Sequence, residues 1–483
     1  MNLDIPFGEW LPDLPDLSNP GATIAKNCLP HLESYKEFLS LSVTSDALTA
    51  ACQGAASYVD KDGNAEIYAG DAGKLYRLQG SSWEDKSGTA YSTAATGYWK
   101  WTKWGENVIA TNGVDSIQIK AFGTAGAFAT LGGSPPTAKH IATVKSFVVL
   151  GDVNDGTRYP NRVQWSGQNL ETSWGSNPAT QSDYQDLVGN GGAVQAVVGG
   201  DIGVIIQEQS IWTMRYEGPP VIFRFDEVAP GIGTPAPRSV VRWGGSVYFL
   251  GHDGFYRLDI GGGLTRIGDK KVDQWFLSRL NKSALHLVVA AIDIPNAKVA
   301  WAYPTGSAAD EILFFDLSTG RWSYCETDTE TIVAGISTSV TLEGLDSYSA
   351  SLDALDISLD AYDWQGGARA LWGFDTTHKS GAFSGPALTA TLETAEVGNP
   401  DASMIYVNGA RPLVSGDATN TVYVGTRNTQ NASYTYNSGI SANSIGEHNT
   451  RKAGRYLRFK VDIAGGFAHA QGIRARIKRN GIR

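Results

Sequence analysis

Val247-Tyr-Phe-Leu-Gly-His-Asp-Gly-Phe-Tyr-Arg-Leu258 and Glu66-Ile-Tyr-Ala-Gly-Asp-Ala-Gly-Lys-Leu-Tyr-Arg-Leu78 follow one plan. An apolar run meets a Gly-x-x-Gly turn (Gly251 to Gly254, Gly70 to Gly73) and a second aromatic run follows, the pattern of a hairpin whose turn demands positive φ. Looser copies are Val108–Ile119, Phe147–Gly156, Val204–Met214, and Val299–Pro304 leading to Ile312–Phe315. Turn centres at Asp71, Asn112, Asn154, Glu208, Asp253 and Gly306 are separated by 41, 42, 54, 45 and 53 residues. A four-stranded propeller blade takes about 40 to 50 residues, so the spacing predicts a β-propeller of about six blades over 46–330. A plain β-sandwich with hairpins at similar intervals is the alternative. Val, Ile, Tyr, Phe and Trp dominate the runs, as a pleated, half-buried surface requires. Trp104-Gly105 and Trp243-Gly244 each precede a run by a few residues and mark equivalent corners.

Composition supports a turn-rich, folded, all-β chain. Of 483 residues 56 are Gly, and only 18% are charged against about a quarter in ordinary domains. Fourteen Trp and 20 Tyr are incompatible with disorder, and no Gly-X-Y period occurs. Met1–Pro6 has no basic and apolar leader pattern, and no run of about 18 apolar residues could cross a bilayer as a helix. Hence neither a cleaved secretory signal nor membrane insertion is expected. Cys28, Cys52 and Cys325 are too few and too scattered for a disulfide framework or a cysteine-based zinc site.

The flanks differ from the centre. Residues 1–45 carry prolines at 6, 12, 15, 20 and 30 and read as an extended arm lying along another surface, with Phe7, Trp10 and Leu11 as anchors. Residues 331–379 read as a linker or crossover; the Leu-Asp pairs at 345, 352, 355 and 359 have helical spacing, but interleaved serines weaken a helix there. Short apolar runs return over 380–483 and predict a separate β-sandwich-like domain. The net charge of −10 divides unevenly. Residues 451–483 hold ten basic side chains against Asp462, a balance of +9, and the rest of the chain carries −19. On a strand, Arg474, Arg476 and Lys478 share one face. With Arg479 they are candidates for a basic interface or channel lining; a solvated edge strand is the plainer reading.

Catalytic constellations are not legible. The sequence has no Gly-x-Ser-x-Gly elbow, His-Glu-x-x-His, P-loop or Cys-x-x-Cys, and its seven histidines are dispersed, so no enzyme activity, metal or cofactor is predicted. Gly231-Ile-Gly233 superficially fits a dinucleotide fingerprint, but Pro235 and Pro237 forbid the helix it needs. Asp60-Lys-Asp-Gly-Asn64 begins like a calcium loop without its twelfth-position Glu and reads as a hairpin turn. Acids around Asp253 or Asp353 leave a glycosidase carboxylate pair open. Trp99-Lys-Trp101-Thr-Lys-Trp104 suits either sugar stacking or packing between blades.

Three segments resemble the propeller-containing tail hub or nozzle proteins of short-tailed bacteriophages, which are related to packaged-DNA stabilisation proteins. Pro6-Phe-Gly-Glu-Trp10-Leu-Pro-Asp, Asn19-Pro-Gly-Ala22 and Ala25-Lys-Asn-Cys-Leu-Pro30, followed by Tyr35, are similar to the arm opening those proteins. Gly231–Val241 with Trp243–Tyr256 resembles their most recognisable blade, and Gly454-Arg-Tyr456, Phe467–Gly472 and Gly481-Ile-Arg483 resemble their terminal strand pair. The resemblance implies a structural virion protein, assembled in the host bacterial cytoplasm and carried in the tail. It implies a homohexameric ring below the portal and adaptor, a seat for a tail needle, plug or fibre, and a channel retaining and conducting double-stranded DNA. Phe7, Trp10, Leu11 and Tyr35 then become candidate contacts to a neighbouring subunit or partner. A net acidic lumen fits such a conduit, because dense phosphate binding would hold the duplex in place. The competing reading is a receptor-binding propeller that recognises or cleaves surface glycans.

Overall fold

Asp253 and its counterparts do sit where the chain reverses. A computed structural model describes residues 2–16, 19–336, 351, 369–398 and 403–479, and the chain is nearly all β. Five of the six turn centres fall between the second and third strands of successive four-stranded antiparallel units, and Asn154 ends the second strand of its unit. These units span 54–85, 100–130, 137–186, 194–230, 241–266 and 289–329, here called sheets 1 to 6. The Trp-Gly corners are equivalent as well. Trp104 and Trp243 end the first strands of sheets 2 and 5, and Gly105 and Gly244 follow at φ 54° and 57°.

The reading of the Gly-x-x-Gly turns needs correction. Of Gly70, Gly73, Gly251 and Gly254, only Gly254 has positive φ, at 145°. At Gly70 the reason for glycine is instead close approach, because a Cβ there would lie 2.4 Å from the Trp99 ring. That ring crosses from the next unit and donates its Nε1 hydrogen to the Asp71 carbonyl at 2.9 Å.

A seventh unit takes its strands from both ends of the domain. Thr331–Ile336, Arg369–Phe374 and Lys379–Ala382 pair in order, and Ser42–Ala47 completes the sheet against Lys379–Ala382. Residues placed in a linker over 331–379, and others placed in the arm, therefore form one sheet. First strands adjoin in sequence: Gly54–Val59 beside Lys100–Trp104, then Thr137–Val144, then Val194–Val198. Contact passes between sheets 4 and 5 where Arg242 donates to the Gly199 carbonyl. It continues from Val241–Trp243 to Val289–Asp293, to Thr331–Ile336 and back to Gly54–Val59. The order is cyclic, with Ser42–Ala47 joining the chain's beginning to the last sheet. The Leu-Asp pairs at 345–360 and Gly481–Arg483 lie outside the described residues.

Two further sheets face each other across a shared core. One runs Cys28–His31, Ser34–Glu37, His469–Arg479, Ile405–Ser415, His448–Gly454, with Asn2–Pro6 also paired to His469–Arg479. The other runs Ala22–Lys26, Ala390–Thr394, Tyr456–Ala464, Thr419–Arg427, Thr435–Tyr436. Alternation makes the core: Val407, Ile473, Ala475 and Ile477 from the first sheet meet Leu392, Val422, Phe459 and Val461 from the second. Ala22–Lys26 also pairs parallel with Trp322–Thr329, so sheet 6 and the second C-terminal sheet are continuous through an N-terminal strand.

Candidate functional site

The four aromatic and aliphatic residues expected to contact a partner are placed otherwise. Phe7, Trp10, Leu11 and Tyr35 are buried in this chain's own interior, with Trp10 and Tyr35 fully enclosed. Trp10 packs edge-on to Trp275 at 4.7 Å and stacks on Tyr324 at 5.1 Å, and its Nε1 donates to the Thr23 carbonyl. The Tyr35 hydroxyl donates to the Gly8 carbonyl at 3.0 Å, and the Arg321 guanidinium lies 5.0 Å from the Tyr35 ring centroid. The arm is extended, as its prolines dictate, but the surface it follows is intramolecular. Acids of the arm complete the attachment. Asp16 pairs with Arg427 at 2.9 Å and with Arg458, and Arg427 pairs with Glu396.

Arg474, Arg476 and Lys478 share an exposed face of His469–Arg479, alternating with buried Ile473, Ala475 and Ile477. The strand is not an edge, because Ile405–Ser415 flanks it on one side and Asn2–Pro6 with Ser34–Glu37 on the other. Arg474 forks onto Asp4 with bonds of 2.6 and 2.8 Å, and this guanidinium holds the Asp4 carboxyl below its usual range. Arg476 pairs with Glu447 at 3.2 Å. Arg411 lies opposite Arg474 and extends the basic face onto a second strand, where Tyr406 stands opposite Lys478. Arg479 ends the strand opposite Ile405. Part of the tail's positive charge is thus neutralised by the chain's own N-terminal acids.

A second cationic site escaped sequence reasoning. Arg238 stands in the short 3₁₀ turn Pro237–Ser239 between sheets 4 and 5, and Lys100 opens the first strand of sheet 2. Both line a cavity of about 470 Å³ among the first strands of sheets 1, 2, 5, 6 and 7. Arg238 is 8% exposed, and its Nη2 donates to the Thr331 hydroxyl at 2.8 Å. Lys100 Nζ and the Arg238 guanidinium lie 5.7 and 5.9 Å from the Tyr98 ring centroid. Burial, then the nearby Arg238 charge, lowers the Lys100 ammonium to about 8. The nearby His140 imidazole is pushed down to about 3, chiefly by burial. The available signal was a lone Arg inside the apolar, proline-flanked segment Ala236–Val241, but sequence does not give the direction of a side chain.

Other acidic side chains make hydrogen bonds within the chain. Asp60 accepts the Asp62 and Asn64 backbone N–H groups, closing its hairpin as a turn. Asp273, raised to about 6 mainly by burial, accepts the Phe255 backbone N–H at 3.0 Å. Asp253 accepts the Tyr256 hydroxyl at 2.7 Å. Trp99 is buried between sheets 1 and 2, while the Trp104 Nε1 donates to Glu171 at 2.9 Å. Asp353 lies outside the described residues.

No known protein family matches the sequence, and no curated protein does either. Among solved structures the chain is similar to the extracellular domain of a hybrid two-component system from B. thetaiotaomicron, at 9% identity and a TM-score of 0.39. The match covers 78% of this chain and 43% of that one, so the chain corresponds to less than half of that neighbour's length. It is also similar to the computationally designed protein Ika8, at 14% identity and a TM-score of 0.33, covering 72% of this chain and 99% of that one.

Proposed function

We propose that this chain is a structural subunit of a short-tailed bacteriophage tail, one of about six forming a hub or nozzle ring below the portal and adaptor. In that position it retains packaged double-stranded DNA and conducts it during ejection. The fold in this reading is a β-propeller of seven blades, closed by Ser42–Ala47, with a β-sandwich attached through the arm.

The observation that carries the reading is the distribution of the N-terminal strands. Within 47 residues the chain contributes strands to the seventh unit and to both C-terminal sheets. Pulling the two regions apart therefore requires breaking strand pairs as well as the packing around Trp10. Such cross-stitching suits a part under internal pressure. With the arm folded back, contacts between copies fall to other surfaces, and the basic face of Arg411, Arg474, Arg476 and Lys478 opposite an acidic body supplies one. The glycan reading is weakened, since Trp99 of the aromatic cluster is buried and Trp101 and Trp104 are only half-exposed.

Light scattering of the purified chain tests the assembly. The wild type is expected as an oligomer that weakens with salt, and R476E/K478E as a folded monomer. A wild-type monomer at all concentrations, or an oligomer indifferent to the charge reversal, contradicts the proposal.

A further inference from the structure

The cavity holding Lys100 and Arg238 has an electrostatic imbalance. Among the described residues neither cation forms an ion pair, and no Asp or Glu lines the cavity. A third cation on its wall, Arg242, is already occupied by the Gly199 and Gly244 carbonyls. Arg238 spends one nitrogen on Thr331, and its Nη1 and Nε have no hydrogen-bond partner among the described residues. Two positive groups near one ring, Arg238 buried and Lys100 half-buried, without a counter-charge, favour an anion that can reach both. The remaining wall is apolar, including Trp101, Val289 and Ile332.

We propose that this cavity is a binding site for a small oxyanion, a carboxylate or a phosphate. Arg238 donates to its oxygens through the N–H groups that Thr331 leaves free, Lys100 supplies the second charge, and the apolar wall accommodates any organic remainder. No covalent step is involved. The ligand ties the turn after sheet 4 to the first strand of sheet 2 across the middle of the cyclic array. The inference is independent of the tail reading, because it depends only on groups within one chain.

The test is calorimetric titration of the full chain, in chloride buffer of fixed ionic strength, with inorganic phosphate and separately with acetate. Saturable binding of at least one anion is expected, weakened about tenfold or more in K100M and in R238Q, as loss of a charge-assisted contact requires. The two arms identify which headgroup is preferred. Circular dichroism checks the fold of both variants, and K100M decides the outcome if R238Q does not fold. Absence of binding by the wild type to either anion at about 50 mM, weaker than a specific site would show, overturns the proposal. Wild-type affinity in K100M also overturns it, since the anion then sits elsewhere, as on the exposed strand of Arg474 to Lys478.

Discussion

Lys100 illustrates how a single residue can work against the fold that contains it. Its ammonium releases its proton at about 8 in the folded chain, against 10.5 ordinarily. Between those values the unfolded chain binds more protons, so this group makes stability rise with pH across that window. Below pH 8 its full cost is present. K100M keeps the stem and removes the charge, so at pH 7, without phosphate or carboxylate buffers, it is expected to be more stable by about 1–3 kcal/mol. The advantage should vanish above about pH 10.5, where both states have lost the proton. Urea midpoints of the two proteins at pH 7 and 10.5 check this, and a less stable K100M at pH 7 contradicts it. Gly70 makes a different point about legibility. Sequence identified it as a glycine the fold needs, but the need arises from the Trp99 ring of the next sheet, 29 positions away, which no local pattern reveals.

At the scale of elements, the six hairpins were legible because turn chemistry and apolar runs are local signals. The seventh sheet was not, because its strands come from 42–47 and 331–382 and only their pairing makes them a unit. The arm was legible as extended but not as intramolecular, since burial depends on distant partners. Ser45 secures the closing strand: its oxygen accepts the Ser380 backbone N–H at 2.8 Å and the Trp83 Nε1 hydrogen at 3.1 Å. S45A leaves both buried donors without an acceptor and is expected to cost about 1–3 kcal/mol in a denaturant melt. An unchanged midpoint would remove Ser45 from the closure. W10A empties an enclosed site between the second C-terminal sheet and the helix Asp273–Arg279, with an expected loss of about 3–5 kcal/mol. Limited proteolysis of W10A should then cut first within the arm. Cleavage elsewhere, with the arm still protected, would contradict its role as anchor.

For the whole molecule, the charge division read from the sequence takes a more specific form. Asp4 and Asp16 of the arm pair with Arg474, Arg427 and Arg458, so acidic start and basic end meet inside one chain. Lys478 has no ion pair among the described residues, and it is this leftover basic surface that the proposed assembly uses. The exposed strand could be located from alternation alone, whereas the cavity depends on five sheets coming together and could not. A tail position makes one direct demand. In a cryo-electron microscopy map of virions encoding this chain, the account predicts about six copies in a closed ring immediately below the portal and adaptor, surrounding the DNA path. Copies confined to peripheral fibres, or a tail lacking the chain, would contradict it.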